Sequence, residues 1–269
     1  MKDFLKVLGC RGSVPRSGKD FSKYGGATSS YALRLGGRLM IIDAGSGILD
    51  IDSVLEGENR VDLFLTHPHA DHIIGFPMCR PVFRNDFHFD IYAKTRAGLD
   101  GKAQINAFME LPNWPVDVDG LAASSDFHEL EEDMTLPGDV PVRVRSMDAA
   151  HPGGSSLLRF EYENKSVVVA TDCTINEENA CSMADFAKDC DLLLIDGQYR
   201  PVEAGGKAGF GHNSWAAAAE FAKSCGAKRA LIVHHDPYNT DDILDLAAED
   251  MVVINAAAAP AFEGEIVEL

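Results

Sequence analysis

The feature that most constrains this chain is the segment THPHADHIIG, which places three histidines and one aspartate within six residues. It follows the apolar run VDLFL, a pattern typical of a short buried strand. An irregular loop just past a strand can turn His67 and His69 toward one point, and Asp71 and His72 then offer a second pair of donors. Imidazole and carboxylate groups suit zinc, manganese or iron. The segment therefore predicts a metal-binding loop.

Further donors stand where other apolar runs end. His151 follows VRVRSM, Asp172 ends VVVATD, and His234 and His235 end ALIVHH. We expect these strand ends to share one pocket with the histidine loop, which would supply enough ligands for two metal ions. Because neighbouring residues on a strand point to opposite faces, only one of the last two histidines is expected to bind metal.

Strand-like and helical patterns alternate along the whole chain, which predicts one α/β domain over residues 1–269. Hairpin turns are expected at Gly36-Gly37 and at Asn164-Lys165. Helices are predicted over Ile175–Lys188, Ser214–Ser224 and Asp241–Glu249. The pattern is weak from about 76 to 148, and this segment is interpreted as a loop-and-helix insertion over one rim.

Charge, apolar runs and cysteine content indicate which partners and which cellular compartment to expect. The formal net charge of −18 disfavours a nucleic-acid polymer, whose binding depends on neutralising phosphates with Lys and Arg. No apolar run is long enough to predict a membrane span, and the N-terminal residues lack the pattern of a secretory signal. The six cysteines show no CxxC pair and are expected to be reduced thiols, as in a cytoplasmic protein.

The motif THPHADH, together with the three strand-end donors, resembles the metallo-β-lactamase superfamily. That resemblance implies a four-layer αββα sandwich with a dinuclear site at one edge, and it also suggests a homodimer. It implies two divalent metal ions, with Zn²⁺ as the first choice and Mn²⁺ or Fe²⁺ as alternatives. It places one ion on His67, His69 and His151, the other on Asp71, His72 and a C-terminal histidine (His234 favoured over His235), and Asp172 between them.

Five segments outside the histidine motif resemble the phosphodiesterase branch of that superfamily, which includes tRNase Z-like and phosphoribosyl cyclic phosphate phosphodiesterases. They are LGCRGSVP, YGGATSSY, IIDAGSGI, LLLIDGQY and GFGHNSW. The branch implies hydrolysis of a phosphodiester through a metal-bridging hydroxide. The tRNase Z-like enzymes carry a long basic arm between the positions of His151 and Asp172, where this chain has a compact hairpin pattern. A small, cyclic or linear phosphodiester is therefore the expected substrate.

His212, in GFGHNSW, is the candidate that protonates or neutralises the leaving alkoxide. It precedes a predicted helix N-terminus, which favours phosphate. The resemblance implies that Asp196, in LLLIDGQY, partners this histidine. Asp71 has two candidate roles, as a metal ligand and as the proton acceptor for the attacking water, and the sequence does not separate them.

Four more residues are candidates for supporting the ligands or contacting substrate: Asp43, Asn213, Ser214 and His235. For Asp43, in IIDAG, a plain turn aspartate is an equal alternative. Two other functions stay open on the sequence. One is hydrolysis of a lactone, thioester or carboxyl ester with the same metals, and the other is a metal-binding sensor without catalytic activity.

Overall fold

Two seven-stranded sheets face each other in the computed structural model, which describes residues 2–207 and 209–269. The first sheet has the spatial order β14 (Ile266–Glu268), β1 (Phe4–Gly9), β2 (Ser30–Leu35), β3 (Arg38–Ile42), β4 (Arg60–Leu65), β5 (His88–Ala93) and β6 (Ser124–Glu129). The second has the order β13 (Ala258–Pro260), β12 (Ala230–Val233), β11 (Leu192–Asp196), β10 (Lys165–Ala170), β9 (Ser155–Tyr162), β8 (Arg143–Ala149) and β7 (Asp133–Thr135).

Helices cover the outer faces of both sheets. They are α1 (Ala70–Ile73), α2 (Gly101–Phe108), α3 (Ala180–Ala187), α4 (Pro201–Ala204), α5 (Trp215–Ser224) and α6 (Asp241–Ile254). One apolar core lies between the sheets, where the rings of Phe64 and Phe160 meet edge to face with centroids 5.1 Å apart. Each sheet also packs against its own outer helices through a second apolar core. The predicted αββα sandwich in a single domain is confirmed.

The parallel strands of each sheet bring their carboxyl ends to one edge. Strands β3 to β6 run parallel in the first sheet, and β10 to β13 run parallel in the second. Ligand sites in such sheets form where the carboxyl ends of the strands meet. The residues that follow β4, β8, β10 and β12 can therefore lie close together at this edge.

The hairpin predicted at Gly36-Gly37 is confirmed: both glycines have positive φ angles, +58° and +88°, as a tight two-residue turn requires. The second hairpin turns at Glu163-Asn164, one residue earlier than expected. The helix predicted from Ser214 is confirmed as α5, because the Ser214 hydroxyl accepts a hydrogen bond from the Ala217 amide and caps it. Helix α6 runs five residues further than predicted, to Ile254, and α3 is shorter than predicted.

The segment from 76 to 148 differs from the loop-and-helix insertion that the sequence suggested. It contains β5 and β6 of the first sheet and β7 and β8 of the second. Strand β6 is an edge strand of the first sheet, and β7 is an edge strand of the second. The residues of both strands are largely exposed. Exposed edge strands need few apolar residues, which explains why the hydrophobic pattern there is weak.

The cysteine expectation agrees with the structure, since all six thiols are free and five of them are buried. Among the helices of the described residues, none combines the length and apolarity needed to span a bilayer.

Candidate metal centre

The histidine loop begins where β4 ends. His67 is buried directly below the loop surface, and His69 is the exposed residue that precedes helix α1. The single turn of α1 then carries Asp71 and His72 inward, and both side chains are buried. The short helix is what allows consecutive residues to contribute donors to the same interior point.

The first donor group unites the loop with two other strand ends. His67, His69, His151 and Asp172 each offer one atom, and these four atoms lie within 4.8 Å of one another. His151 Nε2 and His69 Nδ1 lie 3.1 Å apart. Asp172 Oδ2 lies 3.6 Å from His67 Nε2 and 3.7 Å from His151 Nε2.

The second donor group lies on the other side of Asp172. It contains Asp71, His72, Asp172 and His234, again with one atom from each within 4.8 Å. Asp172 Oδ1 is 3.0 Å from His72 Nε2 and 3.2 Å from His234 Nε2. Asp71 Oδ2 is 3.1 Å from His234 Nε2. One carboxylate therefore presents one oxygen to each group, so the arrangement can hold two ions side by side.

The donor atoms of both groups fit divalent metal ions. In the part of the chain that the structure describes, the buried Nε2 atom of His67 has no hydrogen-bond partner, and that of His72 lies 3.0 Å from Asp172 Oδ1 without hydrogen-bond geometry. A buried nitrogen without a partner is costly, and a metal ion would satisfy it. Ligands about 2.1 Å from a tetrahedral ion lie roughly 3.4 Å from one another. The separations of Asp172 from His72, His67 and His151, which are 3.0, 3.6 and 3.7 Å, are close to that value.

Two of the proposed ligands, His67 and Asp71, have pKa shifts that suit metal binding. Burial holds the pKa of His67 well below its ordinary value, so its imidazole stays neutral and keeps a lone pair. Burial alone would raise the pKa of Asp71, but the neighbouring His72 and His234 rings hold it below its ordinary value. The Asp71 carboxylate is therefore ionised at neutral pH.

Backbone strain is concentrated at the same place. Asp43, Asp172 and His234 adopt positive φ angles of +61°, +52° and +62°, a region that non-glycine residues rarely occupy. Residues in such conformations cluster at functional sites, where the surrounding structure holds them.

Asp43 lies beneath the histidine loop and hydrogen-bonds to it. Its carboxylate accepts hydrogen bonds from His72 Nδ1 at 2.8 Å and from the Thr66 amide at 2.8 Å. The His72 tautomer is thereby set with the proton on Nδ1, and Nε2 is left to face the centre.

His212 and Asp196 form a pair beside the second donor group. His212 Nδ1 lies 2.6 Å from Asp196 Oδ2, and Asp196 is fully buried. The His212 ring stacks on the His234 ring, with centroids 4.7 Å apart and an interplanar angle of 17°. Because the bond to Asp196 uses Nδ1, the Nε2 atom of His212 is the one that can act on a bound molecule.

Gly211 explains why a glycine precedes this histidine. Its φ angle is +95°, and a Cβ atom there would lie 2.2 Å from His151 Nδ1. The same His151 nitrogen donates to the Gly211 carbonyl at 3.1 Å, which leaves His151 Nε2 for the first donor group. The close approach of the Gly211 backbone thus fixes the orientation of the His151 ring, a predicted metal ligand.

Three other predicted residues lie further from the centre. His235 points away and hydrogen-bonds the Ala261 carbonyl at 2.9 Å, so the expectation that its side chain supports or contacts the site is wrong. Burial, with a contribution from Arg11, lowers the pKa of His235 to about 3. The backbone amide of Asn213 donates to Asp196 Oδ1 at 3.1 Å, and the Ser214 hydroxyl is occupied by capping α5.

Sequence reasoning missed the contribution of the N-terminal loop. The Ser13 amide donates to Asp71 Oδ2 at 2.7 Å. A Cβ on Gly12 would lie 2.5 Å from His234 Nδ1, so only glycine fits there. Both residues belong to LGCRGSVP, a segment that carried the family resemblance without revealing these contacts.

Comparison with known proteins gives consistent results. A model described as the beta-lactamase superfamily domain matches residues 38–235. Ribonuclease Z from Pseudomonas putida (strain W619) is 22% identical over 275 residues, which cover 86% of this chain and 83% of that protein. The metallo-beta-lactamase fold protein YhfI from Bacillus subtilis aligns over 100% of both chains, with 20% identity and a TM-score of 0.75. The short form of human tRNase Z aligns over 98% of both chains, with 19% identity and a TM-score of 0.72.

Proposed function

The chain belongs to the β-lactamase superfamily, and from that premise we propose that it is a dinuclear metal-dependent hydrolase acting on a small phosphodiester. The observation that carries the proposal is the pair of donor groups that share Asp172, with the His212–Asp196 pair directly beside them. Two adjacent metal sites with a nearby proton donor suit the hydrolysis of an anionic ester.

The residues proposed to hold the first metal are His67, His69 and His151, and those proposed for the second are Asp71, His72 and His234. Asp172 would contact both. Zn²⁺ suits these nitrogen and oxygen donors, with Mn²⁺ and Fe²⁺ as alternatives. When bound, the two ions neutralise the non-bridging oxygens of the diester and lower the pKa of water toward neutrality.

We assign the proton transfer to His212. Asp196 accepts a hydrogen bond from Nδ1, so Nε2 is the nitrogen that would act on a bound molecule. A protonated His212 would donate to the leaving alkoxide. Asp71 is assigned as a ligand, because it belongs to the second donor group. The Ser13 amide donates to its Oδ2, which lies 3.1 Å from His234 Nε2.

A small substrate is favoured over RNA by two features of this chain. The net charge of −18 opposes the approach of a polyanion. The interval between His151 and Asp172 is filled by the hairpin of β9 and β10, so it projects no arm that could hold a long nucleic acid.

The test is a comparison of substrates on the metal-loaded protein. Metal content is measured by mass spectrometry, and turnover is followed with bis(4-nitrophenyl) phosphate, 4-nitrophenyl phosphate, a lactone and a precursor tRNA. Two metal ions per chain and a preference for the diester are expected. Lactone turnover without diester turnover would overturn the phosphodiesterase assignment, and faster cleavage of the tRNA would overturn the small-substrate assignment.

A further inference from the structure

A cleft of about 360 Å³ opens beside the histidine loop. Its lining includes Pro68 and Ala70, which alternate with the proposed ligands of that loop, and also Leu99 and Phe108. Among the residues that line it, Arg96 carries a positive charge, and the others are uncharged. An apolar cleft with one cation suits an organic group that carries a negative charge.

Two consecutive glycines connect this cleft to the metal centre. A Cβ on Gly153 would lie 3.8 Å from His69 Nε2, and a Cβ on Gly154 would lie 2.4 Å from Arg96 Nη1. Since adjacent Cα atoms are about 3.8 Å apart, the Arg96 guanidinium and the His69 ring lie within roughly 13 Å of each other. One small substrate can therefore reach both.

Arg96 retains the capacity to bind an anion. Its Nη2 donates to the Ser156 hydroxyl at 2.7 Å and lies 3.5 Å from Asp148 Oδ1. Among residues 2–207 and 209–269, none accepts a hydrogen bond from its Nε or Nη1. Asp148 is also contacted by Lys94, at 3.2 Å, and its side chain is 68% exposed. Two cations thus share one solvated carboxylate, and the Nε and Nη1 donors of Arg96 remain for a bound anion.

The segment that carries Arg96 is held firmly. The backbones of Arg96 and Leu99 exchange two hydrogen bonds, 3.0 and 2.9 Å long, across a turn at Ala97-Gly98. The buried Gln104 amide donates to the carbonyls of Lys94 and Leu99, both at 2.8 Å. A rigid turn places the cation and the apolar wall before a ligand arrives, which reduces the entropic cost of binding.

We propose that this cleft binds the organic group of the substrate, and that this group is an apolar ring bearing a second anionic substituent that Arg96 recognises. The inference rests on the proposed phosphodiesterase function and adds the substrate class to it. Arg96 is a specificity-determining residue in this scheme, distinct from the residues that hold metal or move protons.

The test uses three phosphodiesters that all release 4-nitrophenolate and differ in the other ester group: methyl, phenyl or 3-carboxyphenyl. For the wild-type protein, kcat/KM is expected to rise in that order. Arg96→Met is expected to abolish the preference for carboxyphenyl over phenyl, a loss of roughly ten- to a hundredfold for a charge-assisted contact. Arg96→Lys retains part of that preference. Phe108→Ala reduces the preference for phenyl over methyl.

Lys94→Met is the matched control, because Lys94 contacts the same Asp148 but does not line the cleft; it is expected to keep the wild-type order. Calorimetric titration with 3-carboxyphenyl phosphate should show the same loss in Arg96→Met, with metal content unchanged. Diester turnover with an unchanged carboxylate preference in Arg96→Met would overturn this inference alone. Wild-type protein that turns over none of the three esters would instead overturn the proposed function.

Discussion

Two groups in this chain consist of the same residue types, histidine and aspartate, but have different surroundings. One is the metal centre. The other, here termed the β5–β6 group, consists of His88, Asp90 and Asp126, whose donor atoms also lie within 4.8 Å of one another. In the β5–β6 group both oxygens of Asp90 already have cationic or polar partners: Arg60 Nε at 2.5 Å and His128 Nε2 at 3.0 Å.

The backbone separates the two groups as clearly as the side chains do. Asp90 and Asp126 are paired residues of adjacent regular strands, and neither has a positive φ angle. Asp172 and His234, in contrast, follow strand ends in strained conformations. Spacing of donor atoms alone does not identify a metal site. An unpartnered nitrogen does not identify one either, because His88 Nε2 is also buried without a hydrogen-bond partner among the described residues. A carboxylate without a competing arginine, held by an unusual backbone, is the more informative signal.

The largest effect is expected from the carboxylate shared by both metal sites. Asp172→Ala should lose both ions and reduce diester hydrolysis by more than the roughly 10²–10⁴-fold that a missing general acid costs. Asp126→Ala, in the β5–β6 group, should keep both ions and near-normal turnover. Metal analysis and rate measurement on the two variants test this, and full metal content in Asp172→Ala would contradict the assignment.

His212→Ala comes next in expected size. Because His212 is assigned to proton transfer, kcat should fall by about 10²–10⁴-fold while both metal ions remain bound. His128→Ala is the matched control, since His128 is also a histidine hydrogen-bonded to an aspartate. Loss of a metal ion from His212→Ala would show that it acts as a ligand instead, a role that its position near Asp172 and His234 permits.

Metal binding should also stabilise the fold. At zinc concentrations about 100 times the dissociation constant, the gain is about 2.7 kcal/mol. For a chain of this size that corresponds to a rise of roughly 5–10 °C in Tm. His67→Ala should lose most of the rise, whereas His88→Ala should retain it. Thermal unfolding with and without a chelator measures the difference, and an equal loss in both variants would remove the distinction between the groups.

Most of the fold could be predicted because its central strands are short apolar runs with clear turns. VDLFL, VVVA and LLLID are buried in the structure as expected. The region from 76 to 148 could not be predicted in the same way. Its edge strands, such as β6, have mixed polarity, and their positions depend on pairing with β5, which a local pattern does not contain.

The candidate site could be predicted as far as its donors follow strands in sequence. Which of His234 and His235 faces the centre depends on the φ angle of +62° at His234, which no local pattern reveals. The contact from Ser13 to Asp71 joins residues 58 positions apart. Contacts of that range follow from the assembled sandwich and not from any motif.

The smallest expected effect concerns Arg60, the residue that distinguishes the β5–β6 group. Burial by itself would raise the pKa of Asp90, but hydrogen bonds from Arg60 and His128 hold it below its ordinary value. A lowered carboxyl pKa contributes stability above the unfolded-state value of about 3.9, and that contribution is lost as pH falls through the folded-state pKa. Because the Arg60 side chain is 62% exposed, Arg60→Met should cost less than about 1 kcal/mol at pH 7.

Urea unfolding at pH 7 and at pH 3 tests this origin. The difference between wild type and Arg60→Met should shrink at the lower pH, whereas a difference that persists there would point to lost packing of the arginine stem. Arg84→Met, which removes an exposed pair with Asp86, serves as the control for losing a surface cation. Metal analysis of Arg60→Met sharpens the comparison further. If competition by Arg60 is what keeps Asp90 from binding metal, the variant should bind additional zinc, and His88→Ala in the same background should abolish that gain.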